Sequence, residues 1–121
     1  LSVKADMNLR QMVDTISKSS RNLFPVLDDE SHLIGVVLLD DIRNIMFRPD
    51  LYKRMYVSRF MAMPPAKLCI GDSMDHVMKT FDDTGAWNLP VVDADGKYVG
   101  FVSKSKIFNS YRRVLRHYSE D

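Results

Sequence analysis

The sequence predicts an α/β (α+β) protein: two pseudo-twofold-related helix–strand–strand–helix units whose small sheets pack together. Three observations carry that expectation. First, the chain repeats itself. Phe24-Pro25-Val26-Leu27-Asp28 returns as Leu89-Pro90-Val91-Val92-Asp93, and the same offset of 65 pairs Gly35 with Gly100, Val37 with Val102, Ile42 with Ile107 and Asn44 with Asn109. Second, the offset run backwards lays Leu9, Met12, Val13 and Ile16 on Met74, Val77, Met78 and Phe81, an i, i+3, i+4, i+7 stripe in each half, the spacing of one helix face. Third, a half of about 60 residues removes only ~60% of its surface from water, so each half is expected to need its twin.

Each element has a local reason. Asn8 and Ser73 are N-cap residue types, whose side-chain oxygen accepts from a free amide of the first helical turn. Short apolar strands are expected over Leu23 to Leu27 and Leu33 to Leu38, and again over Asn88 to Val92 and Tyr98 to Ser103. Polar turns separate them, Asp28 to His32 and Asp93 to Lys97. Asp95-Gly96 is a hairpin signal, because tight hairpin turns favour residues tolerant of positive φ. Closing helices follow over Asp40 to Phe47 and Lys104 to His117. An opening strand is expected at Leu1 to Ala5 and at Ala66 to Ile70. Arg48 to Ser58, with Pro49, Asp50, Lys53 and Arg54, reads as a connection with a helical turn. Met63-Pro64-Pro65 bars helix at the start of the second half, because proline fixes φ and lacks an N–H. The expected division is residues 1–58 and 59–121.

Composition bounds the function. The 121 residues carry 17 Lys+Arg against 16 Asp+Glu, with 45% apolar and 27% charged residues, the make-up of an ordinary globular protein. The net charge of +1 gives no support to nucleic-acid binding. No stretch approaches the roughly 20 apolar residues of a spanning helix. Cys69 is the one cysteine and shows no ligand spacing with His32, His76 or His117, so no metal site is expected. Between Leu68 and Ile70 on an expected strand, it reads as a buried, inert thiol. Most of the eight methionines read as packing. No nucleophile or acid–base constellation points to an enzyme. The start at Leu1, with neither Met nor a signal-peptide pattern, suggests a piece of a longer protein.

Phe24-Pro25-Val26-Leu27-Asp28 with Gly35-Val36-Val37 and Asp41-Ile42 resembles a cystathionine-β-synthase (CBS) motif. So does Leu89-Pro90-Val91-Val92-Asp93 with Gly100-Phe101-Val102-Ser103 and Ile107. Together they resemble a tandem CBS pair, or Bateman module, over nearly the whole chain. The finer text resembles the cytoplasmic C-terminal region of bacterial CLC chloride channel/transporter proteins: Gly85-Ala86-Trp87-Asn88, Tyr98 through Phe108, and Leu39-Asp40-Asp41-Ile42-Arg43 with Ile45-Met46-Phe47. The resemblance implies a regulatory module on the cytoplasmic side of a membrane, a homodimer, and a transmembrane transport domain in the same polypeptide. The rival hosts are a metal-ion transporter or a soluble enzyme. A further rival is a structural dimerisation module without a ligand.

The resemblance also implies a ligand: an adenine nucleotide (ATP, ADP or AMP) as a regulator, with no cofactor required. The family pattern Gly-x-x-Ser/Thr-x-x-Asp is split here. The first half has Gly35 and Asp41 but Leu38 at the hydroxyl position; the second has Gly100 and Ser103 but Lys106 at the carboxylate position. A lysine cannot accept from ribose hydroxyls. One nucleoside site is therefore expected, formed by Asp41 with Gly85, Trp87, Asn88 and Ser103. Asp41 would hold the ribose and Trp87 would stack on the base, a contact worth ~1–3 kcal/mol. Ser103, Lys104, Lys106 and Arg43 are the candidates for phosphate. Against these stand plainer roles: Asp41 as an acid at a helix start, Trp87 in a core or interface, Ser103 as an N-cap. The basic run Lys104, Lys106, Arg112, Arg113 and Arg116 reads as a solvated face, or as a contact with phosphate, an anionic membrane face or the transport domain.

Overall fold

The computed structural model describes residues 2–109, which fall into two compact units, Leu1–Met63 and the chain from Pro64 onward. No helix among the described residues is long and apolar enough to cross a membrane.

The first unit begins with Val3, bridged in parallel to Val26; its N–H donates to the Pro25 carbonyl at 2.9 Å, and its own carbonyl accepts from Leu27 N–H at 2.9 Å. The strand expected over Leu1 to Ala5 is thus a single bridge. Asn8 caps α1 (Leu9–Ser17) with a reciprocal box: its Oδ1 accepts from Gln11 N–H at 2.9 Å, and Gln11 Oε1 accepts from Asn8 N–H at 2.9 Å. β1 (Leu23–Leu27) and β2 (Leu33–Leu38) form an antiparallel two-stranded sheet. α1 buries Leu9 and Met12, and Met12 joins Val3, Phe24, Val26, Val37, Ile42 and Val57 in the core.

The closing helix is shorter than expected. α2 covers Leu39–Ile42 only, and residues 43–47 continue as turns, with Ile45 and Met46 both donating to the Ile42 carbonyl at 3.0 and 2.9 Å. Pro49 bars a helix from running on past Phe47, because it has no N–H for one and disfavours helical backbone at Arg48. The connection then holds one 3-10 turn (Pro49–Leu51) and a four-residue helix α3 (Val57–Phe60). After it, Ala62 pairs antiparallel with Val36, exchanging two hydrogen bonds of 2.8 Å.

The second unit repeats this plan with a three-stranded sheet, order β3-β4-β5. β3 is only Leu68–Cys69, parallel to β4 (Asn88–Val92), where Ala66 to Ile70 was expected. Ser73 caps α4 (Met74–Thr84), its side chain accepting from His76 N–H at 3.2 Å. Gly85 ends the helix with φ 68°, the left-handed conformation in which glycine avoids a Cβ clash. β5 (Tyr98–Ser103) pairs antiparallel with β4, and residues 104–109 are helical. The remainder of the helix expected to His117, with Arg112, Arg113 and Arg116, lies outside the described residues. Leu68, Phe81 and Leu89 form the core.

The repeat extends to details the residue types do not announce. Both hairpins slip by one residue at the same place, Ile34 and Val99 being the bulged residues. Asp28 Oδ1 accepts from the N–H groups of Glu30 and His32, and Asp93 Oδ1 from those of Asp95 and Lys97, all at 2.9 Å. The bond from His32 N–H leads the effects that hold the Asp28 carboxyl below its usual range. Ser31 adopts φ 68° where its counterpart Gly96 has φ 82°. A left-handed non-glycine residue costs ~1–2 kcal/mol, while glycine adds ~0.5–1 kcal/mol of unfolded-state entropy. Ser31→Gly is therefore expected to raise stability by about 0.5 kcal/mol, read as a higher urea midpoint at unchanged m.

One expectation about a side chain is corrected. Cys69 is exposed rather than buried. On a strand successive side chains alternate, so burying Leu68 turns Cys69 outward. Most of the methionines are at least half-buried, as expected; Met63 and Met74 are the exposed ones, at 68% and 39%.

Candidate functional site

In the first unit, the fold presents Asp41 on the first turn of α2. The neighbouring Asp40 is engaged, its Oδ1 lying 2.6 Å from the Arg43 guanidinium. That contact turns Arg43 to its own helix. Asp41 is exposed and its carboxylate takes no hydrogen bond or ion pair from any described residue. Nor does it cap the helix: Leu38 is the N-cap and makes no side-chain cap bond. What remains is a carboxylate that the described residues leave unengaged, able to accept two hydrogen bonds from a vicinal diol.

In the second unit, Gly85, Trp87, Asn88 and Ser103 come together at one end of the β4–β5 hairpin. Asn88 pairs with Ser103 in the sheet, which sets Trp87 beside Lys104. The Lys104 N–H donates to the Trp87 carbonyl at 2.8 Å, as Leu39 N–H does to Asn22 in the first unit. With its backbone so held, Trp87 projects its ring outward, 73% exposed. It is not a core residue of this unit. The Lys104 ammonium lies 5.3 Å from the Trp87 ring centroid and 5.6 Å from that of Phe108, within cation–π range. Ser103 Oγ accepts from Lys106 N–H at 3.3 Å, which is the N-cap role, and the hydroxyl keeps acceptor and donor capacity beyond that bond. Gly85 acts through its backbone, ending α4 and turning the chain toward Trp87.

The Trp87–Lys104 pair was missed as a pair, although the strand bounds and the hairpin alignment contain it: residues flanking an antiparallel hairpin end are neighbours. Chemically, the second unit offers an aromatic plane with a cation over it. A planar base can stack on that plane and an anionic group can meet the cation.

The CBS-domain family model matches residues 1–48 and 57–113. The chain belongs to the CBS-domain family. It is 30% identical over 104 residues to inosine-5′-monophosphate dehydrogenase of Aquifex aeolicus, covering 85% of this chain and 21% of that protein. It is 24% identical over 104 residues to homoserine O-acetyltransferase of Methanococcus vannielii, covering 80% of this chain and 21% of that protein. The chain thus spans about a fifth of these relatives. Among solved structures, CBSX2 in complex with AMP superposes with a TM-score of 0.74 at 22% identity, covering 95% of this chain and 89% of that one. The CBS domain of a bacterial CNNM/CorC-family Mg2+ transporter, in complex with ATP, superposes with a TM-score of 0.75 at 16% identity, covering 89% and 75%. These likenesses show the fold. The CBS pair is a regulatory module rather than a catalytic one, and proteins as different as a dehydrogenase and a transporter carry it.

Proposed function

We propose that this CBS pair is the cytoplasmic regulatory module of a membrane transport protein of the CLC chloride channel/antiporter type. It acts as a homodimer and reads an adenine nucleotide. The observation that carries the ligand half of this reading is the exposed Trp87 plane with Lys104 over it, in a chain whose Asp41 carboxylate is left unengaged. Asp41 would take the ribose hydroxyls, Trp87 the base, and Lys104 the phosphate, with Gly85, Asn88 and Ser103 shaping the shelf. The relatives held with AMP and ATP support an adenine nucleotide, and the CLC-like segments at Gly85–Asp93 and Tyr98–Phe108 support the host. Regulation follows if the nucleotide binds one arrangement of the two units better than another, because the transport domain then feels that difference in free energy.

A second reading has its own support. The domain taken from a CNNM/CorC-family Mg2+ transporter favours a metal-ion transporter as host. The gene upstream of Leu1 separates these hosts.

The ligand is tested by titration. Trp87 is the one tryptophan, so its fluorescence reports the site directly. ATP, ADP or AMP is expected to quench it saturably. Asp41→Ala is expected to weaken binding about 10- to 100-fold, the loss of one charge-assisted interaction of ~1.5–3 kcal/mol. No quenching and no calorimetric heat at millimolar nucleotide would show a structural module without a ligand.

A further inference from the structure

The two units differ in charge at a place where the repeat pairs them. The offset of 65 lays Arg10 on Asp75, each the second residue of its helix. Asp75 suits that place, because the positive end of a helix favours an acid in its first turn. α1 has no acid in its first turn and carries Arg10 there, a cation at the positive end. The connection adds to the mismatch. Arg10 lines a groove of about 560 Å³ with Pro49, Asp50, Tyr52, Lys53 and Arg54. Arg10, Lys53 and Arg54 make no ion pair with any described residue. The one acid of the lining, Asp50, is already held by Arg48, whose guanidinium lies 2.9 Å from its Oδ2. Three cations therefore share a groove whose single carboxylate is bonded elsewhere.

Main-chain bonds hold this groove in shape. The Leu9 N–H donates to the Met55 carbonyl at 2.8 Å and the Arg10 N–H to the Tyr52 carbonyl at 3.3 Å, which fastens the first turn of α1 to the connection. The Tyr52 hydroxyl donates to the Met46 carbonyl at 3.0 Å. The Gln11 N–H is taken by Asn8, so the amides of the first three residues of α1 are spent, and the cationic side chains are what is left to meet an anion. Like charges held close at a helix's positive end cost stability. A local rule broken without a compensating contact is expected at a functional place.

We propose that this groove binds a small polyanion carrying two linked phosphate groups. Two guanidiniums and an ammonium fit that chemistry, because the planar forks pair with phosphate oxygens two at a time. A phosphate group brings about 1.5–2 negative charges near neutral pH, so two of them match the three cations and a chloride ion does not. The volume is that of a small-ligand pocket. Bound there, the anion ties α1 to the connection that leads to the second unit. The groove shares no residue with the nucleotide shelf of Asp41, Gly85, Trp87, Asn88 and Ser103, and the inference does not rest on that shelf.

The test titrates inorganic pyrophosphate into the 121-residue chain at fixed ionic strength, followed by amide NMR and calorimetry. Saturable shifts are expected at Arg10, Lys53 and Arg54, and none when sodium chloride of equal ionic strength replaces pyrophosphate. Arg10→Asp is expected to weaken binding about tenfold or more, the loss of one charge-assisted contact. The same variant is expected to raise the urea midpoint in the absence of pyrophosphate, because it removes a repelled cation and puts an acid in the first turn. A merely structural arginine would move that midpoint down. Lys53→Gln is expected to weaken binding several-fold, and Lys18→Gln, at the other end of α1, by less than about twofold. Absent shifts overturn the inference. So do shifts that chloride reproduces, unchanged binding in Arg10→Asp, or a lower midpoint in that variant. So does binding to vesicles of anionic lipid without a response to pyrophosphate, since a membrane face then occupies the surface. Trp87 fluorescence under nucleotide reads the shelf separately, and its silence leaves the groove result standing.

Discussion

Phe81→Ala is expected to cost ~3–5 kcal/mol, the penalty for emptying a fully buried aromatic site. Phe81 has no exposed surface, and among the described residues it is one of three in the second unit's buried cluster, against seven in the first. Around it pack Leu68 and Leu89, with Val77, Val91, Val102 and Ile107 at the margin, so truncation leaves a cavity that these side chains fill only in part. Against a total stability of roughly 5–15 kcal/mol, such a loss is large. Urea denaturation followed by circular dichroism should show the midpoint fall; a loss below about 1 kcal/mol would mean that Phe81 does not anchor this unit. Exchange data should localise the damage to β3, β4 and α4, with the Val3–Val26 bridge and α1 retaining protection.

Gly35→Val is expected to be the second largest effect, ~1–3 kcal/mol from overpacking. The Met61 thioether can swing away from a new Cβ, but the Ala62 carbonyl at 3.3 Å is backbone and accepts from Val36, so relief there breaks a hydrogen bond. The same substitution at Gly100 is expected to change stability by about 0.5 kcal/mol or less, as for an open surface position. Faster exchange at Val36 and Ala62 in the first variant would confirm the mechanism. Equal midpoints for the two variants would contradict it.

Much of the architecture was legible because several signals agreed. Proline, the glycine after the turn and the apolar runs coincide in both halves, and β1, β2, β4 and β5 lie where those runs put them. The helix starts were legible for a similar reason, since Asn8 and Ser73 are followed at once by apolar spacing. Helix ends were not. Ile42, Ile45 and Met46 have helical spacing, yet the regular helix closes after Ile42 and turns carry the chain toward Pro49. Cys69 was misread because two apolar neighbours suggested burial, whereas Leu68 alone is buried, on the other face of the strand, and Ile70 is itself exposed. Of the candidate site, the cluster of Gly85, Trp87, Asn88 and Ser103 at one hairpin end was readable from the strand bounds. The hairpin alignment also contained the pairing of Trp87 with Lys104; only the placing of the ammonium over the ring depends on side-chain direction, which residue spacing does not carry.

The outward turn of Cys69 has a practical consequence. The sulfur sits on β3 beside Val92, and the indole precedes Asn88 at the opposite end of β4, roughly 17 Å away along five extended residues. A thiol-coupled acceptor dye would thus find its donor already present in the wild-type chain, giving a built-in spectroscopic ruler that spans the second sheet from end to end.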